Sequence, residues 1–145
     1  MEKRSLLTKY MSMIYRASQG YLDNRLREYN LTSGTYPFIL GIYDNEGISQ
    51  NELSEYVKVD KSLSARAIKK LIELGYVEKI INSEDSRAYK LYLTESAKEV
   101  VPKLLNELDG WVNIITKGLT NEQKETSEIL LENMYLNVKE LKNKE

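Results

Sequence analysis

The chain has 145 residues, 41% hydrophobic and 30% charged, with a net charge of −1, the balance of a single globular domain with a real core. It contains no cysteine and no histidine, which excludes disulfides, thiolate zinc sites, cysteine nucleophiles, Ser-His-Asp triads and haem histidines. Apolar runs are only a few residues long and residues 1–19 carry charges where a secretory signal needs an apolar stretch, so neither a membrane span nor export is expected, and a cytoplasmic location is.

Two prolines and seven glycines leave room for long helices. Residues 3–28 read as one helix: Leu7, Tyr10, Ile14, Ala17 and Tyr21 alternate steps of three and four, and Leu6, Met13, Leu22 and Leu26 add a second apolar strip. A strip that wide asks for burial on more than one side. Residues 30–34 break the pattern. Residues 35–45 resume it through Phe38, Ile39, Ile42 and Tyr43, with Pro37 in the first turn, where a missing N–H is tolerated. Ser49-Gln50-Asn51-Glu52 has the form of a capping box. It opens a short helix expected to turn Leu53, Tyr56 and Val57 inward. Asp60 is the expected N-cap of the next helix, residues 61–74, and Gly75 its C-terminal stop.

The period then changes to two. Tyr76–Ile81 and Ala88–Leu93 are rich in β-branched or aromatic residues, and the residues between them, 82–87, are polar, which predicts a β-hairpin. Thr94 is placed to cap a helix reaching about Lys117, with Ala97, Val101, Leu104, Leu108, Trp111 and Ile115 as its stripe and Pro102 expected to kink it. Gly118 stops that helix. Thr120-Asn121-Glu122-Gln123 repeats the capping box and opens a last helix through about Leu141.

The expected fold is therefore mainly α with a small β-hairpin wing. A winged helix-turn-helix over residues 32–93 is flanked by long dimerisation helices, residues 1–31 and 94–145, in one domain of residues 1–145. The flanking helices carry more apolar stripe than a winged helix of this size can cover, so a homodimer is expected.

The functional signal lies in the middle. Residues 58–90 hold eight basic and five acidic side chains, while the segments on either side are net acidic. In the helix after Asp60, Ser64, Ala67, Ile68 and Leu71 share one face. Lys61, Ser62, Ala65, Arg66, Lys69 and Lys70 share the other. Arg and Lys suit guanine edges and phosphates, Ser reaches either, and small side chains let the helix sit deep in a major groove. In the hairpin loop, Ser83 and Arg87 are candidate DNA contacts. An exposed arginine at a hairpin tip suits the negative potential of a minor groove, and Asp85 can orient it.

The run Ile48–Val57, then Asp60-Lys61-Ser62, then Lys70–Val77, then Asp85-Ser86-Arg87 and Leu93-Thr94, resembles the MarR family of multiple-antibiotic-resistance regulators. The resemblance implies a winged-helix homodimer that binds double-stranded DNA at a pseudo-palindromic operator and represses transcription. It implies that the helix holding Ser62 and Arg66 enters the major groove while Arg87, oriented by Asp85, approaches the minor groove. It further implies a small lipophilic or aromatic effector bound near the dimerisation helices. There Tyr10, Met13, Ile14, Tyr36, Phe38 and Trp111 are the candidate lining, with Arg16 as a carboxylate partner. Lys58 stands in a turn where the family often has glycine, and Ala88 follows the wing arginine where many relatives are basic. No cofactor, metal or membrane partner is expected, nor an enzymatic activity: Glu84 and Asp85 form the one tight acidic cluster, at a loop tip poorly suited to raising a pKa. The alternative reading is a winged-helix protein-interaction adaptor without specific DNA binding.

Overall fold

The structure is a computed structural model that describes residues 2–81, 84 and 89–143. The chain forms two compact units, Met1–Trp111 and Val112–Glu145. In order, the elements are α1 (Leu7–Arg25), a 3-10 turn (Arg27–Tyr29), α2 (Tyr36–Asp44), α3 (Gln50–Val57), α4 (Lys61–Glu73), β1 (Val77–Ile81), β2 (Tyr89–Leu93), α5 (Glu95–Ile115) and α6 (Asn121–Asn143). The described residues thus form six α-helices and one two-stranded antiparallel hairpin, in which Val77 pairs with Leu93 and Ile81 with Tyr89. Among the described residues no helix is long and apolar enough to cross a membrane.

Side chains fix the helix ends. Ser49 Oγ accepts from the Glu52 amide at 3.2 Å, and Glu52 Oε1 accepts from the Ser49 amide at 3.2 Å. Those hydrogen bonds hold the Glu52 carboxyl below its ordinary range. The box at the start of α6 closes the same way: Gln123 N donates to Thr120 Oγ1 at 3.1 Å, and Thr120 N to Gln123 Oε1 at 2.9 Å. Thr94 serves two elements. Its hydroxyl donates to the Gly75 carbonyl at 2.6 Å and accepts from Ala97 N at 3.2 Å, tying the start of α5 to the end of α4. α5 runs on through Pro102.

The core of the first unit gathers Leu22 of α1 and Leu26 just after it, Phe38, Ile39 and Ile42 of α2, Leu53 of α3, Ile68 and Leu71 of α4, Leu91 and Leu93 of β2, and Ala97, Val101 and Leu104 of α5. Tyr56 departs from expectation. It is 52% exposed and donates its hydroxyl to Asp44 Oδ2 at 2.9 Å, because the amphipathic Tyr keeps its polar end in water. Beside that carboxylate its phenol is held above the ordinary range.

Three ties join segments far apart in sequence. Arg25 Nε donates to Glu107 Oε2 at 2.8 Å, linking α1 to α5, and the guanidinium is held further toward its charged form by that partner. One turn away Tyr21 and Trp111 stack with centroids 5.0 Å apart. Ile48 forms an isolated bridge with Leu91: Leu91 N donates to Ile48 O at 2.9 Å, and Gly47 N to Leu91 O at 2.9 Å.

The wide apolar strip of α1 is covered at its C-terminal end only. Leu22 and Leu26 are buried, while Leu7, Tyr10, Met13 and Ile14 are all exposed. In the second unit α6 leaves Ile129, Leu130, Leu131, Tyr135, Leu136, Val138 and Leu141 exposed.

Lys58 closes α3 in the left-handed region, φ +65° and ψ +49°, its amide and that of Val59 both donating to the Ser54 carbonyl at 2.9 and 3.2 Å. A Cβ in that conformation costs about 1 kcal/mol, and the exposed Lys58–Glu55 pair at 3.5 Å recovers little of it. Lys58→Gly should therefore raise stability by about 1 kcal/mol, read from the urea midpoint. An unchanged or lower midpoint would show that the turn carries no strain.

Candidate nucleic-acid interface

α3 and α4 are joined by residues 58–60 alone. Asp60 has extended backbone, and its Oδ1 accepts from Leu63 N at 2.8 Å, so α4 starts at Lys61. Burial then divides α4 along its length. Ser64, Ala67, Ile68 and Leu71 are buried, with Leu71 at 0%. Lys61, Ser62, Ala65, Arg66, Lys69 and Lys70 are exposed. The outward face thus carries four cations, and among the described residues none of them is in an ion pair. The acidic residue nearest its start, Asp60, is already engaged in the cap. The face is therefore a strip of positive charge interleaved with small side chains, the composition that suits a polyanion with grooves.

The hairpin stands next to this helix, since the Tyr76 amide donates to the Leu71 carbonyl at 2.9 Å as the chain leaves α4. On its stem Lys79 Nζ lies 3.7 Å from the centroid of the Tyr89 ring. Sequence reasoning passed over Lys79. The signal was available only through the strand register, which makes Lys79 and Tyr89 diagonal neighbours on one face. Ser83, Asp85 and Arg87, the wing candidates, lie outside the described residues, as does Ala88.

The candidate effector residues scatter. Tyr10, Met13 and Ile14 are exposed on α1, as is Arg16. Tyr36 is half-buried, and burial pushes its phenol up. Trp111 is half-buried against Tyr21. Phe38 is 1% exposed and belongs to the core, where its ring fills space among aliphatic side chains. An open cleft of about 550 Å³ is lined instead by Asn24, Arg25, Arg27, Glu28 and Glu107.

A sequence model of the MarR family matches residues 29–88, the stretch from the last residue of the 3-10 turn up to the start of β2. The HTH-type transcriptional regulator YybA of Bacillus subtilis (strain 168) is 35% identical over 91% of this chain and 88% of its own. The chain belongs to the MarR family. A MarR transcriptional regulator from Methanosarcina mazei Go1 superposes with a TM-score of 0.88 at 33% identity, over 95% of this chain and 99% of that one. A MarR family transcriptional regulator from Listeria monocytogenes, solved in complex with 26mer DNA, is 25% identical with a TM-score of 0.85, over 95% of this chain and 90% of that one. This MarR-family chain is thus a winged-helix transcriptional regulator, and the similarity extends well beyond the helix-turn-helix into the long helices.

One polar atom inside the regulator's α4 stands out. Ser64 is 0% exposed, and its Oγ has no hydrogen-bond partner among the described residues. Burying an unpaired hydroxyl costs about 1–3 kcal/mol, more than the small void left by removing one oxygen. Ser64→Ala should raise the unfolding free energy by about 1 kcal/mol with an unchanged urea slope. A lower midpoint would mean that the hydroxyl is satisfied in solution.

Proposed function

We propose that this MarR-family regulator is a cytoplasmic homodimeric repressor that binds a pseudo-palindromic DNA operator through α4 and the wing. The observation that carries the reading is the outward face of α4, with four cations and two small residues on a helix whose opposite face is locked into the core. Arg66, with Ser62 and Lys69 beside it, reads base edges. Lys61 and Lys70 neutralise phosphates, and Ala65 allows close approach. Arg87, with Asp85 orienting it and Ser83 nearby, supplies the minor-groove contact. The Listeria relative's DNA complex supports a nucleic-acid partner.

The dimer follows from the apolar faces of α1 and α6, which one chain leaves bare. A second copy of the chain covers them and sets the two α4 helices about one DNA turn, ~34 Å, apart. The regulator responds to a small lipophilic or aromatic ligand lined by residues such as Tyr10, Met13, Ile14, Tyr36 and Trp111, with Arg16 as an anion partner. Such a ligand shifts the protein only if it prefers one spacing of the α4 helices.

Selection of bound duplexes from a random pool at about 150 mM salt tests the reading. The expected result is an enriched inverted repeat with half-sites one turn apart; background binding alone would favour the adaptor reading. On the selected site, Arg66→Ala should cost about 1–3 kcal/mol and relax preference at one base position. Arg87→Ala should weaken binding while the melting temperature stays unchanged. Equal losses on all sequences for Arg66→Ala would make it a phosphate clamp, and full affinity for Arg87→Ala would remove the wing.

Sedimentation at micromolar concentration should give twice the chain mass, and Leu131→Asp should weaken both dimer and operator binding. A wild-type chain that sediments as a monomer yet binds the selected repeat at full affinity would overturn the dimer.

A further inference from the structure

The operator contacts proposed for α4 give no role to Leu63, an exposed residue of its first turn. Leu63 is 42% exposed. It is the third residue of the helix, and its amide is held by the Asp60 cap at 2.8 Å. Around it on the outward side stand Lys61, Ser62, Ala65 and Arg66, all exposed and none of them a large apolar side chain. The core has no use for Leu63, because α4 meets it through Ser64, Ala67, Ile68 and Leu71. A single exposed leucine is ordinary on a protein surface, so it is the position that carries the argument. Leu63 lies at the N-terminal end of the helix, the end whose side chains reach base edges in helix-turn-helix proteins. It also lies one turn before Arg66, on the same side.

An aliphatic side chain pressed into a major groove has one matching group there. The base edges display hydrogen-bond donors and acceptors, together with the C5-methyl of thymine. Against a donor or acceptor, Leu63 would strip water and return no hydrogen bond, which is unfavourable. Against the methyl it buries apolar surface on both sides. We infer that Leu63 packs on the C5-methyl of a thymine in each half-site, next to the base pair met by Arg66, and selects thymine over cytosine at that position. This rests on the operator-binding reading and names one of its base contacts.

Uracil differs from thymine only by that methyl, so it isolates the contact. In the duplex enriched by selection, each thymine is replaced in turn by uracil, and binding of the full-length protein is measured at the same salt. Loss of one buried methyl should weaken binding about fourfold at one position per half-site and leave the other thymines neutral. Leu63→Ala should bind thymine and uracil duplexes equally at that position. Leu63→Met, which keeps an apolar side chain of similar volume, should retain the preference. Unchanged melting temperatures for both variants separate the contact from folding. Enrichment of an inverted repeat with no uracil-sensitive thymine, or with a sensitivity that survives in Leu63→Ala, overturns the inference and leaves the operator reading standing. A pool with no enriched repeat overturns both.

Discussion

The rotation of α4 about its own axis is the constraint on which the rest of the molecule depends. Leu71 and Ile68, at 0% and 2% exposure, are packed in the same core as Leu53, Phe38 and Leu91. Each residue turns the helix by about 100°, so fixing those inward positions fixes where Lys61, Arg66, Lys69 and Lys70 point. The Asp60 cap fixes where the helix begins, and the short turn from α3 fixes where it enters. Lys58 bears the cost of that turn in a left-handed backbone. A charged face is therefore held by apolar packing on the other side of the same helix, and no ion pair among the described residues is needed to aim it.

The sequence was most legible where a local pattern decides the structure. The Ser49 and Thr120 boxes close as written, with both reciprocal bonds in place. The two faces of α4 follow from spacing alone, and the hairpin strands fall within a residue of Tyr76–Ile81 and Ala88–Leu93. What could not be read depends on contacts between distant segments. The 3-10 turn at Arg27–Tyr29 ends α1 earlier than the apolar strip suggests, because Leu26 is already committed to the core. Neither the Arg25–Glu107 pair nor the Ile48–Leu91 bridge leaves a mark in local composition. Tyr56 sat on an apolar spacing, but its hydroxyl found Asp44 and the ring stayed outside. Of the candidate interface, the helix was readable from spacing, whereas Lys79 over Tyr89 needed the strand register.

The flanking helices make a different point about what one chain can hold. In α6 the apolar side chains from Ile129 to Leu141 meet water, as do Leu7, Tyr10 and Ile14 in α1. Intrinsic propensity holds a helix of such length only marginally; tertiary burial normally supplies the rest. In the homodimer proposed above, assembly and folding of the long helices would be one equilibrium. Stability should then depend on protein concentration as well as on temperature.

The bridge between Ile48 and Leu91 has a mechanical consequence. It attaches the middle of β2 to the residue just before the Ser49 cap, while Thr94, directly after β2 at the base of the hairpin, is tied to Gly75 after α4. Wing stem and helix-turn-helix are thereby riveted at two places, so the angle between them is not an adjustable quantity. In the proposed dimer each such lobe would be the fixed jaw of a caliper, regulation would act on the gap between the two jaws, and a mutation that loosened either rivet would blur every measurement the caliper makes.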